Sequence, residues 1–203
     1  MTDTLTEIPL FPLPSVLFPG GRMSLKIFEQ RYLDLVRRCM KSDTGFGLVW
    51  IASGSEISRP GAGTPGLSEW GCYARIVDWD SLPNGLLGIV VEGGERFRLR
   101  RSWEQDDGLF MAEVYMQGLR PAVSITDQWT SMVEVLSSLE QHPHVKRLGL
   151  AADHSDAWQV GYALVQLLPV DERLKYELLL ESDIDMFMEE LDELLNELGG
   201  LTA

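Results

Sequence analysis

Residues 8–51 decide the fold, and they begin with Ile8-Pro9-Leu10-Phe11-Pro12-Leu13-Pro14. Next come Leu17-Phe18-Pro19-Gly20-Gly21 and then Ser24-Leu25-Lys26-Ile27-Phe28-Glu29-Gln30-Arg31-Tyr32. Proline fixes φ and has no amide donor, so the first run predicts an edge or broken strand that pairs on one side only. The Pro-Gly-Gly sequence predicts a tight reversal into a second strand.

The apolar pattern changes period after this second strand. From Glu29 onward, apolar side chains recur at helical spacing, at Tyr32, Leu33, Leu35, Val36, Cys39 and Met40. The run Gly45-Phe46-Gly47-Leu48-Val49-Trp50-Ile51 then predicts a return to the sheet. The segment therefore reads as strand, turn, strand, helix, strand.

This order of residues resembles the N-terminal, substrate-binding domain of the Lon protease family. The matching motif residues at the start of the chain are Pro9, Leu10, Phe11 and Pro12, then Phe18, Pro19 and Gly20, then Phe28, Glu29, Arg31 and Tyr32. A second signature, which looks like a glycine turn followed by Arg-Phe-Arg, contains Gly93, Arg96 and Phe97. Residues 167–181 look like the helical ending of the family, so the resemblance covers nearly the whole chain and implies a stand-alone form.

Strand and helix signals divide the chain into an α+β protein of two subdomains. Residues 1–120 predict short strands at 71–79, 86–92, 96–103 and 109–116 around one helix at about 29–41. Many short strands favour a barrel, because closure removes exposed edges, and the family resemblance sharpens this to a PUA-like β-barrel. Residues 121–203 predict a helical subdomain, with Thr126 and Ser155 as N-caps, a helix end at Pro169 and an acidic amphipathic last helix from Ile184 to Leu198.

The formal net charge of −14 lies mostly in the second subdomain. Residues 1–120 contain 13 Lys and Arg against 15 Asp and Glu, whereas residues 121–203 contain 4 against 16. Such a surface repels phosphate backbones, which disfavours nucleic acid and anionic membranes as partners of that half. The sequence has no leader pattern, no apolar run of membrane length and two unpaired-looking cysteines, so a cytoplasmic location is expected.

No cofactor or catalytic set is predicted. The stretch Gly61-Ala62-Gly63-Thr64-Pro65-Gly66 fits G-x-G-x-x-G but lacks the strand before it and the helix after it, so it reads as a surface loop. No Walker A sequence occurs, and the four lysines all lie in segments that match the N-terminal domain of the family rather than its Ser-Lys peptidase domain. His142, His144 and His154 read as a polar connection between helices rather than a metal site, since their spacing matches no known ligand set.

The remaining candidates for a binding surface lie on the strands. Arg96, Arg98 and Arg100 alternate with Phe97 and Leu99, so three guanidinium groups share one strand face. These groups either bind an anionic ligand or form ion pairs with nearby carboxylates. Two tryptophans near strand ends, Trp79 and Trp103, are candidates for anchoring a partner, and together with Arg98 and Arg100 they form the predicted partner-binding set.

The leading hypothesis is a non-catalytic module that binds a polypeptide substrate or protein partner in a groove between barrel and helices, and that serves as an adaptor in proteolysis or quality control. The resemblance implies this role, because the family domain recognises substrates for an attached motor. The alternative is an RNA-binding PUA-like protein, which the acidic second half opposes. The oligomeric state is left open.

Overall fold

The computed structural model describes residues 5–51, 66–82 and 85–200, and the chain divides into two compact units, Met1–Leu119 and Arg120–Ala203. The described elements of the first unit are β1 (Leu5–Leu13), β2 (Arg22–Ile27), α1 (Gln30–Ser42), β3 (Phe46–Ile51), β4 (Leu67–Ser81), β5 (Leu87–Glu104) and β6 (Phe110–Gln117). Those of the second unit are a 3-10 turn (Asp127–Trp129), α2 (Thr130–Glu140), α3 (Pro143–Leu148), α4 (Ala157–Leu167), α5 (Glu172–Leu180) and α6 (Ile184–Gly200). The predicted order of a strand-rich unit followed by a helical unit is confirmed.

The strands of the first unit close into a barrel. β1 runs parallel to β3 and antiparallel to β6, β4 lies between β3 and β5, and β5 pairs with β6 to complete the ring. β2 lies outside this ring, antiparallel to the first part of β5. Closure gives the ring strands partners on both sides and leaves β2 at the end of the sheet.

The prolines predicted an edge strand or a broken strand that pairs on one side only, and β1 is not an edge strand, because it lies between β3 and β6. The two neighbours pair with different parts of it: residues 5–10 pair with β6 and residues 10–13 with β3. Pro9 therefore has a ladder partner only in β6, and Pro12 only in β3. The missing amide donor of each proline therefore removes at most one ladder hydrogen bond, so an interior strand tolerates both prolines.

The predicted glycine turn at residues 92–95 is wrong, because β5 runs without a break from Leu87 to Glu104. Gly93 instead allows a close approach of two backbones. A Cβ atom added to it would lie 2.1 Å from the carbonyl oxygen of Phe18. The Gly20 amide donates to the Gly93 carbonyl at 2.7 Å, and the Gly93 amide donates to the Gly21 carbonyl at 2.9 Å. Gly20 itself has φ +72, as the tight reversal requires.

Alternate side chains of the barrel strands enter two separate cores, as the pleat of a strand dictates. Inside the barrel, Ile8 and Leu10 of β1 pack with Phe97 of β5 and with Val49, Ala112 and Val114. On the other side of the strands, helix α1 packs through its buried stripe of Tyr32, Leu35, Val36 and Cys39. The helical period in the sequence therefore places α1 against the sheet and positions its first turn for the site below.

The helical unit is built around an aromatic cluster of Trp158 and Tyr162 on α4 and Phe187 on α6, with ring centroids 5.3 to 5.4 Å apart. The predicted cap Ser155 is wrong by one residue: Asp156 caps α4 by accepting from the Trp158 amide at 3.1 Å. The Asp156 carboxylate also accepts from the Val123 amide at 3.2 Å. Thr126 precedes the 3-10 turn and makes no side-chain capping bond to it.

Helix α6 carries the acidic amphipathic pattern that the sequence predicted. Phe187, Met188 and Leu191 are buried. Desolvation raises the pKa of Glu190 above its ordinary value of 4.5, and repulsion by Glu177, Glu181 and Glu193 adds to the rise. In the ranges that the structure describes, none of the helices has the length and apolar character needed to cross a bilayer.

Candidate functional site

A cavity of about 310 Å³ opens on the surface of the barrel unit. Five elements meet there: the ends of β1, β2 and β3, the first turn of α1 and the start of β6. The residues that line it are Phe11, Pro12, Leu13, Leu25, Lys26, Ile27, Phe28, Glu29, Arg31, Tyr32, Ile51 and Phe110. We call this cavity the barrel pocket.

Two stacked aromatic rings are buried in the wall of the barrel pocket. The rings of Phe11 and Tyr32 have centroids 3.9 Å apart and are inclined by 18°. Burial raises the pKa of the Tyr32 hydroxyl, against a smaller lowering by Arg31. Stacked rings form a rigid apolar surface, since neither side chain can turn without losing its partner. The wall is therefore preformed for contact with apolar groups.

Arg31 connects the first turn of α1 to the turn between β5 and β6. Its guanidinium donates to the carbonyl oxygen of Gly108, in the turn between β5 and β6, at 2.6 Å. It also pairs with the carboxylate of Glu29 at 2.7 Å and lies 4.8 Å from the centre of the Tyr32 ring. The two charges of this pair compensate each other, so Glu29 and Arg31 shape the barrel pocket without adding net charge to it.

The rim of the barrel pocket exposes apolar surface. Phe28 lies between β2 and α1 with 68% of its surface accessible, and Ile51, at the end of β3, has 38% accessible. Lys26 is exposed on the same rim, and within the described residues no ion pair or hydrogen bond of its side chain occurs. An exposed phenylalanine next to a concave apolar wall is the kind of surface that binds a partner.

Most of the side chains that line the barrel pocket are apolar. Eight of the twelve lining residues are Phe, Leu, Ile or Pro, and the charged Glu29 and Arg31 are paired with each other. The two cysteines lie in the core, where burial raises the pKa of Cys39 and raises that of Cys72 to about 12. A thiol with such a pKa stays protonated at neutral pH and is a poor nucleophile.

The histidines are placed in the helical unit without a metal geometry. His154 lies 3.1 Å from the Glu140 carboxylate, and the His142 ring accepts from the His144 amide at 3.2 Å. His142 is the N-cap of α3, a helix that the sequence did not predict, since this segment was interpreted as a polar connection between helices. Among the described residues, no group of three or more His, Cys, Asp or Glu could hold a metal ion. The G-x-G-x-x-G stretch lies almost entirely outside the described residues.

The motif residues separate into two groups in the structure. Six of them line the barrel pocket: Phe11, Pro12, Phe28, Glu29, Arg31 and Tyr32. The others lie elsewhere in the barrel: Leu10 and Phe97 in its interior, Pro9 in β1, Phe18, Pro19 and Gly20 at the tight reversal, Gly93 against that reversal, and Arg96 on β5. The first group therefore forms half of the lining of the barrel pocket.

The predicted partner-binding set does not line the barrel pocket. Trp79 is 58% exposed on β4. Arg98 lies 5.5 Å from the ring centre of Tyr115, and Arg100 pairs with Glu113 at 3.0 Å. Trp103, half-buried on β5, lies 5.2 Å from the Arg101 guanidinium. Their role in binding, and the RNA-binding alternative, stay predictions.

Sequence reasoning missed half of the barrel pocket. The residues it did not select are Leu13, Leu25, Lys26, Ile27, Ile51 and Phe110. One feature of the sequence could have indicated the pocket. Phe28 lies between the second strand and the apolar stripe of the helix, so neither the strand pattern nor the helix pattern predicts that it is buried. An apolar residue outside both patterns is a candidate for a contact surface.

Comparison with known proteins gives consistent matches. A family model described as the ATP-dependent protease La (LON) substrate-binding domain matches residues 7–197. The crystal structure of a Lon N-terminal domain protein from Xanthomonas campestris is 33% identical with a TM-score of 0.71, over 92% of this chain and 96% of that one. The N-terminal domain of the Mycobacterium avium complex Lon protease has the same fold at 14% identity, with a TM-score of 0.59 over 93% and 97% of the two chains. The predicted PUA-like barrel of the Lon type is thus confirmed.

Full-length relatives are also similar. The Lon protease of Escherichia coli K12 is 24% identical, over 91% of this chain and 26% of that protein. Lon protease 2 of Myxococcus xanthus is 33% identical, over 48% of this chain and 12% of that protein. The chain therefore spans about a quarter or less of the length of the curated relatives it matches.

Proposed function

The chain belongs to the family of Lon substrate-binding domains, and on that premise we propose that its barrel pocket binds apolar segments of unfolded polypeptides. The observation that carries the proposal is the exposed ring of Phe28 beside a preformed aromatic wall. In a folded polypeptide such apolar side chains are buried, so a pocket of this kind distinguishes unfolded chains from folded ones. The protein binds without altering its ligand covalently.

The size of the barrel pocket suits a side chain rather than a domain. A volume of about 310 Å³ lies at the lower end of the range for small-molecule sites, and it is large enough for an aromatic side chain or two aliphatic ones. The affinity of this pocket for one segment is then modest, because the free energy gained by burying one or two side chains must offset the entropy lost when a flexible peptide is ordered. Modest affinity with broad specificity is suited to quality control.

The finer proposal is that the protein acts as an adaptor. A module that holds unfolded segments can deliver them to a separate ATP-dependent protease, and the family membership motivates a Lon-type partner for this step. If so, adding the protein raises the rate at which such a protease degrades an unfolded substrate. With the Phe28→Ser variant in place of the wild type, the protease would degrade the substrate only at the rate it has alone.

Binding is tested by fluorescence anisotropy with labelled, reduced and carboxymethylated α-lactalbumin as the unfolded probe. Complete burial of a phenylalanine contributes about 1.5–3 kcal/mol. In the free protein most of the Phe28 surface is exposed, and the ligand would cover it, so Phe28→Ser is expected to weaken binding about tenfold. The exposed position means that folding is unaffected, which circular dichroism checks.

Two matched variants locate the site. Met186→Ser removes a side chain that is 61% exposed on α6 and is expected to leave binding unchanged. Trp79→Ser tests the tryptophan that the sequence favoured. Loss of binding in Trp79→Ser with full binding in Phe28→Ser would overturn the assignment to the barrel pocket, and no binding of the probe by the wild type would overturn the function itself.

A further inference from the structure

The barrel pocket adjoins the one strand that lies at the end of the described sheet. Among the described strands, β2 pairs with β5 and has no second neighbour. Among the described residues, Met23 through Ile27 have no other backbone hydrogen bond than those of this ladder. In an antiparallel pair every second residue directs its N–H and C=O away from the partner. β2 therefore presents a row of hydrogen-bonding groups on its outer edge.

This edge continues into the barrel pocket. Leu25, Lys26 and Ile27, the last residues of β2, all line it. The two faces of the strand differ: Leu25 and Ile27 pack toward the core of α1 and the sheet, whereas Ser24 and Lys26 are exposed. A strand added to this edge would alternate in the same way, with one set of side chains directed into the pocket and the other beside Lys26.

The charges on the rim indicate which side chains the added strand would carry. Glu29 is neutralised by Arg31 at 2.7 Å, so among the described residues of the rim the ammonium group of Lys26 is the charge without an opposite partner. Opposite charges on facing strand residues attract, and like charges repel. Lysine on an edge also opposes pairing of two identical edges, which disfavours a second copy of this chain as the occupant.

We propose that the polypeptide ligand binds as an extended strand on the outer edge of β2, with apolar side chains in the barrel pocket and an acidic side chain between them opposite Lys26. The recognised feature is therefore an apolar-acidic-apolar alternation in an extended segment. This inference rests on the proposed function and adds the backbone conformation and the charge preference of the ligand. Addition of a strand to a sheet edge derives affinity from the main chain and specificity from alternate side chains.

The strand geometry is tested with the blocked peptide acetyl-Ser-Phe-Glu-Leu-Glu-Ser-amide and a set of analogues, each N-methylated at one residue. N-methylation removes a donor and adds bulk at that amide only. If the peptide adds to β2, methylation at every second residue weakens binding about threefold to tenfold, and methylation at the residues between them has little effect. Amide exchange also slows on peptide binding at those residues from Met23 to Ile27 whose N–H groups point away from β5.

The charge preference is tested by reversal. Lys26→Glu is expected to weaken binding of the Glu-containing peptide about twofold to fivefold and to strengthen binding of its Lys-containing counterpart. Lys41→Glu, on the exposed end of α1 and outside the barrel pocket, is the matched control for net charge and should not reverse the preference.

The outcomes separate the two proposals. Uniform sensitivity to N-methylation, or no reversal in Lys26→Glu, overturns the strand addition while leaving the proposed function intact, provided that Phe28→Ser still loses the unfolded probe. Failure of all the peptides to bind while the unfolded probe binds also overturns it. If neither the peptides nor the probe bind the wild type, the proposed function fails and the strand addition fails with it.

Discussion

Substitution of Gly93 by alanine tests the close approach on which the barrel depends. The added methyl group would lie 2.1 Å from the Phe18 carbonyl oxygen and 3.0 Å from the Cys72 sulfur, so β5 and the tight reversal must separate. Separation lengthens the two hydrogen bonds that Gly93 makes, at 2.7 and 2.9 Å, with Gly20 and Gly21. Each such bond contributes about 0.5–1.5 kcal/mol, and forcing a methyl group into a packed site costs about 1–3 kcal/mol.

The expected loss in the free energy of unfolding is therefore roughly 2–6 kcal/mol, measured by urea unfolding. Amide exchange of Gly20 is the local measurement, because its hydrogen bond to Gly93 is broken directly. Gly94→Ala is the matched control: its methyl group would lie 3.3 Å from the Tyr73 carbonyl oxygen, and the change should stay within about 1 kcal/mol. The reasoning is refuted if Gly93→Ala unfolds at the same urea concentration as Gly94→Ala and retains the wild-type protection of the Gly20 amide.

Three further predictions concern the helical unit and the thiols. Because the pKa of Glu190 is raised in the folded protein, its contribution to stability is lost as pH rises through that pKa. Glu190→Gln should therefore raise the urea midpoint of unfolding at pH 7 and leave it unchanged near pH 3, where the side chain is protonated in both states. An equal gain at both pH values would contradict this reasoning. Asp156→Ala should lower the stability of the helical unit by about 1–3 kcal/mol in urea unfolding, because the amides of Trp158 and Val123 lose their acceptor. Asp153→Ala removes the carboxylate of a nearby exposed residue and is the comparison. Both cysteines are buried, and burial raises the pKa of Cys72 to about 12, so neither should react with Ellman's reagent at pH 8 until guanidinium is added. A rapid reaction in the native protein would show instead that the core opens.

Local elements followed from local signals. The helical spacing of Tyr32, Leu35, Val36 and Cys39 predicted α1, because a period of 3.6 residues belongs to one conformation and these residues are buried on one face. The Pro-Gly-Gly reversal followed in the same way, since Gly20 must adopt a positive φ that other residues resist. Each of these signals depends on a few consecutive residues.

The errors concern residues whose role depends on a distant contact. Gly93 looks the same in the sequence whether it allows a turn or admits another backbone, and the structure selects the second through Phe18, which lies 75 positions earlier. Ser155 and Asp156 are both good capping residues. The choice between them depends on the bond that Asp156 also makes to Val123.

The kinds of element, their order, the acidic helical end and the family could be predicted from contiguous residues, because periodicity, turn chemistry and motif are local properties. In contrast, folding of the whole unit is what places Phe11, Ile27, Phe28 and Phe110 in one cavity and leaves β2 at the edge of the described sheet. These residues are separated by up to a hundred positions and meet because the barrel closes between β5 and β6. The strand pattern predicted a barrel, but the strand order and register that bring these residues together depend on the whole set of strands, and no local pattern encodes them.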